Sequence, residues 1–302
     1  MSESPNLFTH SNHPALYYED MLADHLRMAR YREAINLVVK PGDIVADLGT
    51  GMGVLAMMAA QAGAGHVYAV DNRQNALDVA QGVIDANGLS DRITVVCADA
   101  REVVIEQPVD LIVNELIGDF GTDENIYECV KEFANRNLKE GGKVLPGQLK
   151  TLLVPVQYGD EFRGIWRKDY QGLDLSSAAQ YPTQVEPVLR IMHEDALELA
   201  QPQTLENIDF GAGMPEREMD YAVNFTVEKG GTLQGFMGFF EARLAPGITL
   251  ANHPVYPRCH WQTWHWPVYP PRKVTAGDTF RATVHARPNM VAGGWTMEWS
   301  PN

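Results

Sequence analysis

Two glutamates, Glu115 and Glu124, stand in the stretch Asn114–Glu115–Leu116–Ile117–Gly118–Asp119–Phe120–Gly121–Thr122–Asp123–Glu124. The apolar run before it, Val109 to Val113, reads as a buried strand, which puts Glu115 at the carboxyl end where open α/β sheets bind ligands. Gly118 and Gly121 permit a tight loop that turns Glu124 back towards Glu115. Two carboxylates on one short loop can hold a cation that donates from several nitrogens, and the planar fork of a guanidinium suits them best. Taken alone, the same residues are explained equally well as an acidic surface loop.

The second constellation is a turn. Ile44 to Leu48 reads as a strand, Gly49–Thr50–Gly51–Met52–Gly53 as a glycine-rich turn and Val54 to Gln61 as an apolar helix, the opening unit of a nucleotide-binding α/β fold. A dinucleotide fingerprint has its third glycine where Val54 stands, and Asp47 is unfavourable beside a pyrophosphate, so a nicotinamide-dependent oxidoreductase is disfavoured. An acid followed by Gly49, Gly51 and Gly53 is instead the pattern of an S-adenosyl-L-methionine site, in which a carboxylate near the turn, here Asp47, can hold the ammonium of the methionine part. Asp71, after a second strand from His66 to Val70, can accept ribose hydroxyls. Asp99, after a third strand from Ile93 to Cys97, can accept the adenine amino group, with a loop cap as the alternative.

The elements that must position these groups alternate. Glu19 to Val38 has helical apolar spacing, with Asp24 and Arg27 on one face, where a solvated ion pair explains them as well. A further helix, Asn75 to Ala86, and strands at Val109 to Val113 and Lys143 to Leu145 complete a mostly parallel sheet. After Pro146 come short alternating or aromatic-rich runs: Leu149 to Gln157, Met219 to Glu228, Thr232 to Leu244, Trp261 to Val268, Phe280 to Ala286 and Met290 to Trp299. They predict an antiparallel barrel or sandwich. An insertion of about 160–207 reads as an arm that docks on a second subunit, a helical lid being the alternative. The expected division is a tail over 1–16, a Rossmann-like nucleotide-binding domain over 17–146 and a β-barrel domain over 147–302.

Composition bounds the function. A chain of 302 residues with 45% hydrophobic content can bury a sizeable core, and its formal charge of −15 repels nucleic acid and suits a cationic partner. Cys97, Cys129 and Cys259 are far apart and odd in number, which indicates neither a disulfide framework nor a metal site and fits a reducing cytoplasm. No apolar run approaches the ~20 residues of a membrane span, and the first twelve residues carry no signal pattern.

Together these residues resemble the protein arginine N-methyltransferase family over nearly the whole chain from about Tyr18. Met21–Leu22–Ala23–Asp24–His25–Leu26–Arg27 through Tyr31 resembles its N-terminal helix motif, the Glu115/Glu124 loop its double-glutamate loop, and Cys259–His260–Trp261 its Thr-His-Trp loop. The resemblance implies a Rossmann-like domain, an antiparallel β-barrel, a helical dimerisation arm and a homodimer. It implies that Arg27 binds the donor's carboxylate, that Asp47, Gly49, Gly51 and Gly53 hold its methionine part, and that Asp71 holds its ribose. Glu115 and Glu124 would hold the substrate guanidinium, Met21 would crowd the methyl-transfer space, His260 and Asp24 would pair near the acids, and Trp261 would pack on the substrate. Where the family has an acid near adenine this chain has Arg101, so that role moves to Asp99. Leu116 and Ile117 replace the family's Trp-Met pair. These departures leave protein arginine, free arginine and another small guanidine open as substrates; a non-catalytic partner subunit is opposed by the intact Glu115, Glu124, Arg27 and glycine turn.

Overall fold

The structure, a computed structural model, describes residues 18–158, 171–177, 188–190, 196–210, 214, 216–257, 259–287 and 295–302. Its first part alternates strands and helices: α1 (Glu19–Ala23), α2 (His25–Val38), β1 (Ile44–Leu48), α3 (Val54–Gln61), β2 (His66–Asp71), α4 (Gln74–Ala86), β3 (Ile93–Cys97), β4 (Val109–Asn114), α5 (Ile126–Asn137) and β5 (Leu138–Leu145). The strands form a five-stranded parallel sheet in the order β3-β2-β1-β4-β5. The chain reverses its direction of growth between β1 and β4, and the register pairs Leu48 with Asn114. The glycine turn and Glu115 therefore leave adjacent strands side by side, at the crevice where such sheets bind ligands.

The helix expected over Glu19 to Val38 is two helices. Asp24 leaves helical geometry at ψ 83° because its side chain caps α2, accepting the Arg27 N–H at 3.0 Å. Helix α5, unassigned from the sequence, buries Ile126, Tyr127, Val130 and Phe133 at helical spacing.

The second part contains β6 (Gln148–Gln157), β7 (Val188–Arg190), β8 (Leu197–Glu198), β9 (Gln203–Asp209), β10 (Asp220–Thr226), β11 (Gly231–Ala245), β12 (Ile248–Ala251), β13 (Thr263–Val274), β14 (Thr279–His285) and β15 (Thr296–Pro301). Among the described residues these strands pair as a seven-stranded and a three-stranded antiparallel sheet, so the expected barrel is not closed by strand pairing. The tail over 1–16 lies outside the described residues, as does most of the expected arm. Within that arm, Leu197–Glu198 and Gln203–Asp209 are strands paired with β6, because their alternating side chains complete that sheet.

One hydrophobic core joins the two parts: Tyr31 and Ile35 of α2 pack with Leu111 and Val113 of β4 and with Phe240, Leu244 and Trp261. A second core holds Trp264, Trp266 and Trp295, and into it the acidic loop sends Phe120. The Phe120 ring lies 5.1 Å from Trp264 in a stack, 5.1 Å from Trp266 and 5.4 Å from Trp295, both edge-on. Gly238 makes room for it, since a Cβ there would stand 2.4 Å from the ring. Phe120→Ala is expected to cost about 3–5 kcal/mol of stability by emptying this space, read as a lowered midpoint in urea denaturation with an unchanged slope.

Candidate active site

The loop after β4 is tied down at almost every residue. Tyr31 donates to the Asn114 carbonyl at 3.1 Å, and the Asn114 amide donates to the Leu145 carbonyl at 3.1 Å. Gly118 and Gly121 exchange both backbone hydrogen bonds at 3.0 Å, which folds the loop back on itself as their positions in the sequence predict. Asp123 caps the bend by accepting the Phe120 N–H at 2.9 Å, and its carboxylate fills the space over Gly118. From the antiparallel part, the Asn252 amide donates to the Asp119 carbonyl at 2.7 Å, while Asp119 accepts the Gln262 N–H at 2.7 Å. The Trp261 indole N–H donates to the Ile117 carbonyl at 2.8 Å.

Glu115 meets the first cation of the site inside the protein: its Oε2 takes a short hydrogen bond from Arg27 Nη1, with both side chains largely buried. Arg27 Nη2 donates to the Met21 carbonyl at 2.7 Å, and its guanidinium lies 5.7 Å from the centre of the Trp261 ring. The cation on the Trp261 face is thus Arg27, and the indole, 6% exposed, steadies the Arg27–Glu115 pair. His260 and Asp24 come together as expected. Nδ1 of His260 lies 3.1 Å from Asp24 Oδ2, which also accepts the His260 N–H at 2.9 Å. Burial acts to raise the Asp24 carboxyl, but its hydrogen bonds with His260 and Arg27 outweigh it and hold the group down at about 2.

Gly49, Gly51 and Gly53 all take the left-handed backbone, with φ of 68°, 54° and 77°, so the turn needs glycine for its shape as well as for close approach. Asp47 accepts from the Thr50 hydroxyl at 2.6 Å and the Ala56 N–H at 2.9 Å through one oxygen; its other oxygen is buried with no partner among the described residues. Asp71 accepts the Gly51 N–H at 3.0 Å and the Arg73 N–H at 2.9 Å. The Asp99 carboxylate is clasped by Arg101, with Nη2 at 2.6 Å and the backbone N–H at 2.8 Å, which commits the oxygens that the adenine assignment needs. Over the turn lies a residue given no role by the sequence: the Tyr18 ring comes within 2.7 Å of where a Gly51 Cβ would be, and its hydroxyl takes a short hydrogen bond from Arg73. A ligand on this turn requires the Tyr18 ring to move.

The residues at the turn fit the methionine end of the donor. An α-amino acid needs a donor for its carboxylate and an acceptor for its ammonium. Arg27 Nε and Asp47 Oδ1 are a buried donor and a buried acceptor that have no partner among the described residues.

Negative charge is concentrated around the loop. Burial pushes the Glu115 carboxyl up to about 7 against the pull of Arg27, with the charges of Glu124 and Asp24 adding to the rise. Glu124 is exposed, and desolvation by the surrounding protein pushes its carboxyl up to about 7, Asp119 adding and Arg73 opposing; its exposure to solvent weakens that rise. Burial likewise raises Asp119 to about 6 and Asp123 to about 8. Asp119 and Asp123 were legible as acids in the loop; the hydrogen bonds that make them loop caps were not.

Comparison with known proteins adds three findings. A family model described as ribosomal protein L11 methyltransferase (PrmA) matches residues 31–151. A probable histone-arginine methyltransferase CARM1 of Oryza sativa subsp. indica is 30% identical over 94% of this chain and 57% of its own length. Protein arginine N-methyltransferase 1 of Dictyostelium discoideum is 26% identical over 95% and 86%. A probable protein arginine N-methyltransferase 6 of Arabidopsis thaliana is 34% identical over 64% of this chain, which spans 45% of that relative, so the chain covers about half the length of several curated relatives. In fold it matches a solved Trypanosoma brucei PRMT1 enzyme-prozyme heterotetrameric complex with AdoHcy, with TM-score 0.80 and 22% identity over 98% of this chain and 94% of that one. It also matches Arabidopsis thaliana protein arginine methyltransferase 10, with TM-score 0.76 and 24% identity over 89% and 87%.

The raised carboxyls set the direction of pH dependence. Asp47, Glu115, Asp119, Asp123 and Glu124 bind protons more tightly folded than unfolded, so the stability they contribute is complete below about pH 4 and is lost as pH rises through about 6 to 8. The contribution of Asp24 runs the other way, present above about pH 4 and lost on acidification towards 2. The ligand-free protein is therefore expected to melt at a lower temperature at pH 8 than at pH 5.5 in calorimetry, and Asp123→Asn to flatten that difference.

Proposed function

We propose that this chain, which belongs to the protein arginine N-methyltransferase family, transfers a methyl group from S-adenosyl-L-methionine to a guanidino nitrogen of arginine. The observation that carries the reading is electrostatic. Glu115 lies beside the glycine turn; burial pushes both its carboxyl and that of Glu124 up to about 7, with the charge of Glu124 adding at Glu115, and a further cation between the two acids would favour their charged forms.

The donor, when bound, supplies an electrophilic methyl on a sulfonium. A guanidinium is a poor nucleophile, since its lone pairs are delocalised and its proton is held to a pH above about 12. Glu115 and Glu124, taking hydrogen bonds from separate nitrogens, draw the positive charge onto those nitrogens and leave the third free to react. They also offset repulsion between two cations in a low-dielectric site. Arg27 orients Glu115, and its unpartnered Nε suits the donor's carboxylate; Asp47 suits the ammonium. His260, held by Asp24, offers an imidazole at the edge of the site to take the departing proton. Asp71 is read as the ribose acceptor after Arg73 and Tyr18 shift, and Met21 as a wall of the transfer space. The adenine role of Asp99 requires Arg101 to release it.

We also read 17–146 as the donor domain and 147–302 as the substrate domain. Homodimerisation through the 160–207 stretch is proposed from the length and place of that insertion. A reducing cytoplasm suits three free cysteines, and no described helix is long and apolar enough to cross a membrane.

Glu115→Gln is expected to lower turnover at least about a hundredfold, while donor affinity in calorimetry stays equal or tightens because Arg27 loses its competing anion. Methyl-labelled donor supplied with free arginine in one tube and an arginine-rich peptide in another, with products identified by mass, separates the two substrate classes. Turnover of Glu115→Gln equal to the parent's removes the assignment.

A further inference from the structure

No hydrogen bond or ion pair to a described residue holds the Glu124 carboxylate, so its position is set by the backbone on either side. One buried arginine grips both sides. Arg217, its side chain 5% exposed, donates from Nη2 to the Thr122 hydroxyl at 2.5 Å, two residues before Glu124, and from Nη1 to Glu128 at 3.0 Å, in the first turn of α5 after it. Its Nε donates to Glu206 of β9 at 2.7 Å, and Glu206 also accepts from Thr122 at 2.7 Å and from Tyr221 at 2.7 Å. The guanidinium lies 5.4 Å from the centre of the Trp295 ring and 6.0 Å from that of Tyr127.

Between the two gripped residues the backbone is constrained. Asn125, next to Glu124, takes the left-handed backbone at φ 66°, which asparagine tolerates better than other non-glycine residues and which turns the chain sharply at this point. Its N–H bonds back to the Thr122 carbonyl at 3.3 Å, and its carbonyl accepts the Cys129 N–H at 3.0 Å. The segment Thr122–Glu128 is thus closed on itself and fastened by Arg217 to the antiparallel sheet.

We infer that Arg217 is the positioning residue for Glu124, tying Thr122 and Glu128 to Glu206 so that the carboxylate stands where the guanidino substrate needs it. The inference rests on the proposed function only for what Glu124 binds. Only a fork of five donors reaches three partners in a plane; a lysine keeps the charge and loses the fork. The effect is geometric, since Arg217 is not among the charges that move the Glu124 carboxyl.

Three variants test it: Arg217→Lys, Thr122→Val and Thr122→Ser, each checked for folding by circular dichroism. Arg217→Lys and Thr122→Val are expected to raise KM for the guanidino substrate and lower kcat, together by at least about tenfold in kcat/KM, with donor affinity in calorimetry unchanged. Thr122→Ser, which restores the hydroxyl, is expected to behave as the parent. In a carbon-13 carboxyl titration of the free protein, the loosened Glu124 gains water, so its midpoint is expected to fall from the parent's raised value towards the ordinary glutamate value. A folded Arg217→Lys with the parent's kcat, KM and Glu124 midpoint overturns the inference, whatever its melting temperature. If Arg217→Lys does not fold, Thr122→Val against Thr122→Ser decides by the same readouts. If the parent methylates neither arginine nor peptide, the proposed function fails, and the Glu124 midpoint alone decides the role of Arg217.

Discussion

The guanidinium of Arg27 and the carboxylate of Glu115 meet where water is largely excluded, and the surrounding architecture exists to keep them together. An isolated buried carboxylate would protonate; Arg27 pulls Glu115 down while burial pulls it up, and the balance lies near neutrality. Losing either partner of such a pair typically costs about 3–5 kcal/mol, because the other charge is left alone. Three elements share the work. The short helix α1 gives the Met21 carbonyl to Arg27, Asp24 caps α2 so that Arg27 points inward, and Trp261 lays its ring beside the guanidinium.

The acidic loop couples the two parts of the chain. Its first half leaves the parallel sheet at β4, and its middle is buried in the aromatic core of the antiparallel part through Phe120. Trp261, Gln262 and Asn252 all bond to its backbone or to Asp119. Backbone groups in a loop this buried need partners; most are found within the loop itself, while the Ile117 and Asp119 carbonyls take theirs from Trp261 and Asn252, more than a hundred positions later. The loop can therefore take its shape only when both parts have folded around it.

At the glycine turn the balance is different. The left-handed turn is rigid, Asp47 Oδ1 and Arg27 Nε have no partner among the described residues, and Tyr18, held by Arg73, covers Gly51. Rigid polar groups with unmet bonding capacity suit a small zwitterionic nucleoside, provided the Tyr18 ring gives way.

Local pattern carried much of this. The strand at β4, the glycine turn after β1, the acids Asp47 and Asp71 and the spacing of Glu115 and Glu124 depend on period, turn chemistry and residue type, all visible within a short window of chain. The same windows misjudged the helix over Glu19 to Val38, because a capping aspartate and a helical aspartate look alike until the side chain finds Arg27 N–H. They set Trp261 against the substrate, whereas Arg27 lies on its ring, and they gave Asp99 a free carboxylate that Arg101 occupies. Residue types and local spacing by themselves determined the sheet, the turn and the pair of acids. Only the tertiary structure decided that Arg27 sits on Glu115, that Tyr18 covers the turn and that Arg217 brackets Glu124. Those contacts join residues 55 to 95 positions apart, and their energy exists only once burial has removed the competing water.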